Sequence, residues 1–362
     1  MSALKAELAR LIAEEGPLPV SRFMALALGH PRHGYYMTRD PFGRQGDFTT
    51  APEISQMFGE LIGLWAAHLW QAMGAPATFR LIELGPGRGT LMADILRATR
   101  RLPGFREAAS VRLVETSPAL RALQAAALPE AAPVWHDTVG AALDGPAIVI
   151  ANEFLDALPL DQFVMTQQGW RERLVGLGAE GELVFGLSSA QEKIGTVAPI
   201  GSVLERPAIA AEIVSQIAAH LSRAGGAALF IDYGSSRSGF ADTLQAMMRH
   251  AFVDPLAQPG EADLTVHVDF ERMGQAALNA GAALNGPSTQ RNFLLALGLA
   301  ERAARLSQSA APAQAQAVAQ AFERLTALGQ TGMGELFKVI ALAHPDLPPL
   351  PGFDLHRLPD PR

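Results

Sequence analysis

Short runs of uninterrupted apolar residues alternate with amphipathic helical stretches through the middle of the chain, and this constrains the fold more than any other feature. The runs lie at 79–84 (FRLIEL), 111–115 (VRLVE), 147–152 (AIVIAN) and 227–233 (AALFIDY), with helical periodicity at about 89–101, 117–127 and 207–224. A strand apolar on both sides has to be covered on both faces, and an intervening helix returns the chain for parallel pairing. An α/β fold with a parallel sheet follows. At 362 residues and 49% hydrophobic content, the chain is long enough for about two domains.

Around this centre the texture changes. Residues 1–78 read as a helical block: a helix to about Glu15, another around 19–28, a Gly/Pro/Tyr-rich loop at 30–48, and one long helix at 51–73. Thr50 and Glu53, with Pro52 in the first turn, spell a capping box at the start of that long helix. Residues 162–185 read as antiparallel strands inserted into the α/β region, which spans 79–345. Further on come a strand at 263–268, helices at about 269–280, 290–306 and 311–328, a strand at 335–343, and a Pro-rich tail at 346–362.

The chain has no cysteine, which removes disulfides, thiolate metal sites and cysteine nucleophiles together. A net charge of −7 repels polyanions, so no nucleic-acid partner is expected. The longest apolar stretch, 61–70, is interrupted by His68 and too short to span a bilayer. The first helix carries Glu7, Glu14 and Glu15, unlike secretory or mitochondrial presequences. A cytoplasmic protein without membrane insertion is expected. His30 and His33 share a turn with too few companions for a metal site, so no metal is expected.

The sharpest local signal is Leu-Ile-Glu-Leu-Gly-Pro-Gly-Arg-Gly-Thr at 81–90, where a buried strand turns into a helix through Gly85, Gly87 and Gly89. Glycines there let the backbone approach a ligand closely. A phosphate-binding P-loop needs Gly-Lys-Ser/Thr, and no lysine lies between Lys5 and Lys193. A dinucleotide turn needs G-x-G-x-x-G, but Thr90 occupies the third glycine's place. Glu83 would repel a diphosphate and suits a cationic ligand. S-adenosylmethionine carries a sulfonium and an ammonium, and Glu115, ending the next strand, is placed to grip its ribose diol. Pro86 within the turn and Thr116 after Glu115 join the cofactor side. A third strand ends at His136 and Asp137, where the adenine edge is expected. The fourth runs into Asn152, Glu153 and Asp156, where the transferred methyl would face its acceptor. Turn, cap and loop hydrogen bonding remain the competing roles for Glu53, Asp137, Asn152 and Asp156.

Eight blocks together resemble the MidA-like family, which includes the mitochondrial complex I assembly methyltransferase and its bacterial relatives. They are GDFTTAPEISQMFGELIGLW (46–65), IELGPGRGTLMADILR (82–97), VETSPALR (114–121), ANEFLDALPLDQF (151–163), FIDYG (230–234), ADLTVHVDF (262–270), TQRNFLLALG (289–298) and GELFKVI (334–340). The resemblance implies a class I, Rossmann-like seven-stranded methyltransferase fold using S-adenosyl-L-methionine, and methylation of an arginine on a complex I subunit or another bacterial protein. It carries over Glu83, Gly85, Gly87, Gly89, Glu115 and Asn152 as cofactor-side positions. It also marks Gly46, Asp47, Phe48, Thr49 and Thr50 as a signature loop over the cofactor. Leu155 departs from the usual Phe, and the expected absence of a mitochondrial targeting segment suits a bacterial protein.

An arginine acceptor calls for carboxylates that hold its guanidinium. Glu153 and Asp156 are the first candidates, with Asp47 and Glu53 behind them. Asp232 and Tyr233 could line the acceptor side. The helical block, the insertion and the loop are expected to form a cleft open to a protein segment. Two other functions compete: a nicotinamide-dependent oxidoreductase, and a non-catalytic assembly module that retains a cofactor pocket.

Overall fold

The structure, a computed structural model, describes residues 2–38, 50–329 and 332–353. Contacts divide the chain into two compact units, one of residues 1–48, 155–212 and 237–269, the other of 49–154, 213–236 and 270–362.

The second unit holds the large sheet. Its strands are β1 (Phe79–Leu84), β2 (Ala109–Val114), β3 (Val134–His136), β4 (Ala147–Asn152), β5 (Gly226–Ser235), β6 (Ala283–Thr289) and β7 (Phe337–Ala343), running in the order β3-β2-β1-β4-β5-β7-β6. The first five pair in parallel, while β7 is antiparallel to both β5 and β6. This is the seven-strand arrangement expected of a class I methyltransferase. Ile82, Ile148, Val149, Ile150, Leu229 and Phe230 are wholly buried, as strands covered on both faces must be. Strand order reverses between β1 and β4, and a crevice opens at the carboxyl ends of strands at such a point.

Several expectations needed correction. The helix read at 51–73 is two helices, α1 (Ala51–Ile54) and α2 (Gln56–Ala72). Ser55 between them is extended, at φ −162° and ψ 134°, and its hydroxyl accepts the Met57 N–H at 3.2 Å, so it caps α2. The capping box at Thr50 is absent: the Thr50 side chain makes no cap bond, and Glu53 turns elsewhere. The helix read at 290–306 breaks at Gly298, φ +94°, into Gln290–Ala296 and Leu299–Gln308. Strand β6 was not anticipated, because its Asn285-Gly286-Pro287 segment reads as a turn. It lies at the sheet edge with a register break between Asn285 and Ser288, where proline is tolerated.

Helices α3 (Thr90–Thr99) and α4 (Pro118–Ala127) follow β1 and β2. Glu60 of α2, nearly buried, receives hydrogen bonds from Arg97 at the end of α3 at 2.6 Å and from Arg302 at 2.7 Å.

In the first unit, the helix Ala3–Glu15 buries Leu4, Leu8 and Ile12. The 162–185 texture is realised as antiparallel strands Asp161–Thr166, Gly169–Leu177 and Leu183–Leu187 in a five-stranded sheet with Val203–Arg206 and Leu18–Pro19. The strand read at 263–268 is split into Asp263–Thr265 and Val268–Asp269. Among the described residues no helix is long and apolar enough to cross a membrane.

Candidate cofactor and acceptor site

The glycine turn joins β1 to α3 as expected. Gly85, Gly87 and Gly89 have φ of +59°, +52° and +83°, the left-handed region that glycine enters without a Cβ clash. Gly89 donates to the Pro86 carbonyl at 2.7 Å, and its Cα faces the backbone of α4, where an added Cβ would meet the Gln124 Cα at 3.4 Å.

Glu83 lies inside β1, 3% exposed. Burial pushes its carboxyl up to about 8, only partly opposed by the Met92 N–H. Its Oε2 is buried without a hydrogen-bond partner among the described residues. An unsatisfied buried carboxylate oxygen is costly, and a cationic group docked there would remove the cost.

Glu115 follows β2 and is 9% exposed. Burial raises its pKa, opposed by the Ser117 N–H (2.8 Å to Oε1), the Gln124 amide (3.3 Å to Oε2), the Thr116 N–H and the Arg121 charge. A carboxylate offers about four acceptor positions, so these bonds orient it without exhausting it. Its N–H donates to the His136 carbonyl at 3.1 Å, joining β2 to β3. Burial, then Arg112 and Arg121, lower the His136 pKa, and its Nε2 is buried without a hydrogen-bond partner among the described residues. Asp137 is largely exposed and pairs with Arg121 at 2.6 Å. Arg121 also donates to the Glu115 carbonyl, so Asp137 reaches this site through an arginine.

At the end of β4, Asn152 is 9% exposed. Its Nδ2 donates to Glu153 Oε1 at 2.9 Å, while its Oδ1 is buried without a hydrogen-bond partner among the described residues. Glu153 is a non-glycine residue at φ +52°, a strained conformation of the kind that collects at functional sites. Its Oε1 also accepts the N–H of Ala51, the first residue of α1, at 3.1 Å. At the other end of α1, Glu53 accepts the Thr90 hydroxyl at 2.5 Å. The short helix is thus tied to β4 through Glu153 and to the glycine turn through Glu53.

Asp232, 1% exposed, accepts the Phe154 N–H at 3.1 Å and the Tyr233 N–H at 2.9 Å. That is a strand-end role which holds the backbone just beyond Glu153. Tyr233 packs against Phe337. Asp156 belongs to the first unit, where it is buried and its carbonyl accepts the Val266 N–H. Thr50 ends the signature loop as the N-cap of α1, whereas Gly46, Asp47, Phe48 and Thr49 lie outside the described residues. Two residues that the sequence reading missed, Gln124 and Arg121, link the parts of the site. A glutamine inside an Ala/Leu-rich helix face was the available signal.

A family model of S-adenosyl-L-methionine-dependent methyltransferases matches residues 61–288. The Drosophila melanogaster protein named protein arginine methyltransferase NDUFAF7 homolog, mitochondrial, is 36% identical over 392 residues, 97% of this chain and 88% of that protein. The human protein arginine methyltransferase NDUFAF7, mitochondrial, is 34% identical over 361 residues, 91% of this chain and 81% of that protein. A Burkholderia thailandensis crystal structure bound to S-adenosyl-homocysteine is similar at a TM-score of 0.80 and 32% identity, covering 97% of this chain and 92% of that one. The chain belongs to this S-adenosyl-L-methionine-dependent methyltransferase family. It is an enzyme whose methyl donor is S-adenosyl-L-methionine. The nicotinamide-dependent and non-catalytic alternatives find no support.

The orphaned oxygens of Glu83 and Asn152 and the three left-handed glycines fit that donor. The expected cytoplasmic location is corrected by the same comparisons, since the fly, zebrafish and human relatives are named mitochondrial proteins. The acidic residues of the first helix do not determine where the folded chain resides.

Proposed function

We propose that the methyl acceptor is an arginine side chain of a protein, a respiratory complex I subunit being the particular substrate. Two relatives named protein arginine methyltransferases over most of this chain support the acceptor class. The observation that carries the reading is Glu153, whose carboxylate is fixed just past β4 by the Ala51 N–H and the Asn152 amide.

When bound, the cofactor supplies an electrophilic methyl on a sulfonium. The protein then has to align an acceptor nitrogen in line with it, and approximation supplies much of the rate. Glu83 would hold the cationic amino-acid part of the cofactor, the backbone of Gly85, Pro86, Gly87 and Gly89 would allow its close approach, and Glu115 with Thr116 would take the ribose. His136 would serve the adenine side, with Asp137 acting through Arg121. Asn152, Glu153 and Thr50 would serve the side of the transferred group.

A guanidinium has a pKa above about 12, so it arrives charged and one nitrogen has to lose a proton during or after attack. Carboxylates that hold the other nitrogens localise the charge and fix the geometry. Glu153 takes that role on the acceptor side. Asp156 and Asp47 are further candidates, resting on sequence alone.

Incubating the protein with labelled S-adenosylmethionine and host membrane extract, followed by mass spectrometry, tests the reading. The expected product is methylarginine on an NADH dehydrogenase subunit. Label found only on lysine, or only on small molecules, would overturn it.

A further inference from the structure

We propose that Gln124 is a positioning residue for the cofactor: one buried amide that sets the glycine turn, the ribose-side carboxylate and the third strand relative to one another. Gln124 lies on α4 and is wholly buried. Its Nε2 donates to the Gly87 carbonyl at 2.8 Å and to Glu115 Oε2 at 3.3 Å, and its Oε1 accepts the Trp135 indole N–H at 2.8 Å. Its Cα packs toward Gly89.

The chemistry of the partners admits one orientation of this amide. An indole can only donate, whereas a backbone carbonyl and a carboxylate can only accept. Trp135 therefore claims the oxygen and turns the nitrogen toward Gly87 and Glu115. Reversing the amide would break three hydrogen bonds of a side chain with no solvent exposure. Gly87 is the middle glycine of the turn and Glu115 the carboxylate assigned to the ribose, so a shift of the amide moves both walls of the cofactor site together. Trp135 acts on the cofactor through Gln124, by locking which end of the amide points where.

The inference rests on the assignment of the cofactor to this turn, and calorimetry of S-adenosylhomocysteine binding to the full-length protein separates the two. Wild type failing to bind would overturn that assignment itself. With wild type binding, Gln124→Met should weaken affinity roughly tenfold or more, the scale of a lost hydrogen bond to a charged group. Gln124→Glu keeps the acceptor for Trp135 but presents oxygen to the Gly87 carbonyl and to Glu115. It should bind more weakly still, and the milder Trp135→Phe change keeps the test decisive should either Gln124 variant fail to fold. Trp135→Phe should weaken binding by a smaller factor, and combined with Gln124→Met it should cost nothing beyond Gln124→Met alone, because the two act as one unit. Wild-type affinity in folded Gln124 variants with a lowered melting temperature would make the residue merely structural. Additive losses for the Trp135 and Gln124 changes would remove the coupling. Either result overturns the proposal.

Discussion

The Phe154 ring edge stands 3.0 Å from the place where a Cβ on Gly85 would sit. The first glycine of the turn is therefore needed for packing as well as for its φ of +59°. Phe154 is held against it by the bond from its own N–H to Asp232, so the segment after β4 and the turn after β1 fit together as one surface.

Gly85→Ala should accordingly destabilise the protein by roughly 1–3 kcal/mol, the range for a residue forced into a sparsely populated backbone region. Adding Phe154→Leu relieves the contact but not the backbone strain, so it should restore only part of the loss. Chemical denaturation of the two variants and wild type measures this. Full restoration would show that φ contributes nothing.

Glu83 leads to a pH prediction. Its folded pKa of about 8 lies above that of an unfolded glutamate, about 4.3, so the native state binds more protons between those limits. The contribution is fully present below the unfolded pKa and is lost as pH rises toward about 8. Glu83→Gln should therefore melt higher than wild type near pH 8 and show little difference near pH 5. A cation docked against Glu83 favours the carboxylate, so cofactor binding near pH 7 should release a proton. Calorimetry in buffers of different ionisation enthalpy detects that release, and a buffer-independent enthalpy would count against the placement of the cationic group.

For Glu153, the conservative change separates charge from geometry. Glu153→Gln keeps an oxygen for the Ala51 N–H, so S-adenosylhomocysteine affinity should stay within about twofold while turnover on protein falls by roughly tenfold or more, as expected for loss of a charge-assisted contact. Glu153→Ala should lower both, since α1 loses its tie to β4. Full turnover by the Gln variant would make Glu153 a purely positioning group.

A stability prediction concerns Glu60. Burial pushes its carboxyl up, but hydrogen bonds and charge from Arg302 and Arg97 outweigh this and hold it below the usual value. Its contribution is thus present above the unfolded carboxyl pKa and lost as pH falls below it. Arg302→Ala should cost about 1–3 kcal/mol near neutral pH, at the modest end for a broken buried pair because Arg97 remains and Arg302 is itself one-third exposed. The difference from wild type should shrink in acid, which urea titrations at two pH values would show.

The parts of the fold legible beforehand were those written in local periodicity. Strands β1 and β4 have the ends expected, and the helix starts at Thr90 and Pro118 fall within a residue or so of expectation. The errors came partly from partners distant in sequence that overruled local signals and partly from local breaks that helical periodicity does not show. Asn285-Gly286-Pro287 interrupts any strand pattern, yet residues on both sides of Gly286-Pro287 pair with β7, which makes the segment an edge strand with a register break. Glu53 reads as a cap for Thr50, yet its carboxylate goes to Thr90, thirty-seven residues away. Ser55 reads as one more helical residue, yet it ends one helix and caps the next.

The sequence by itself determined the parallel core of the sheet, the glycine turn and the position of two carboxylates, Glu83 within β1 and Glu115 just after β2, because a strand followed by a glycine-rich turn places its neighbours almost without reference to the rest of the chain. Only the tertiary structure decided how those parts are held. That Glu83 has an oxygen unsatisfied among the described residues, that Gln124 joins Gly87 to Glu115 and Trp135, and that Glu153 holds the start of α1 all depend on which buried donor meets which acceptor. Hydrogen-bond directionality settles such matches among groups brought together by folding, and no spacing along the chain encodes them.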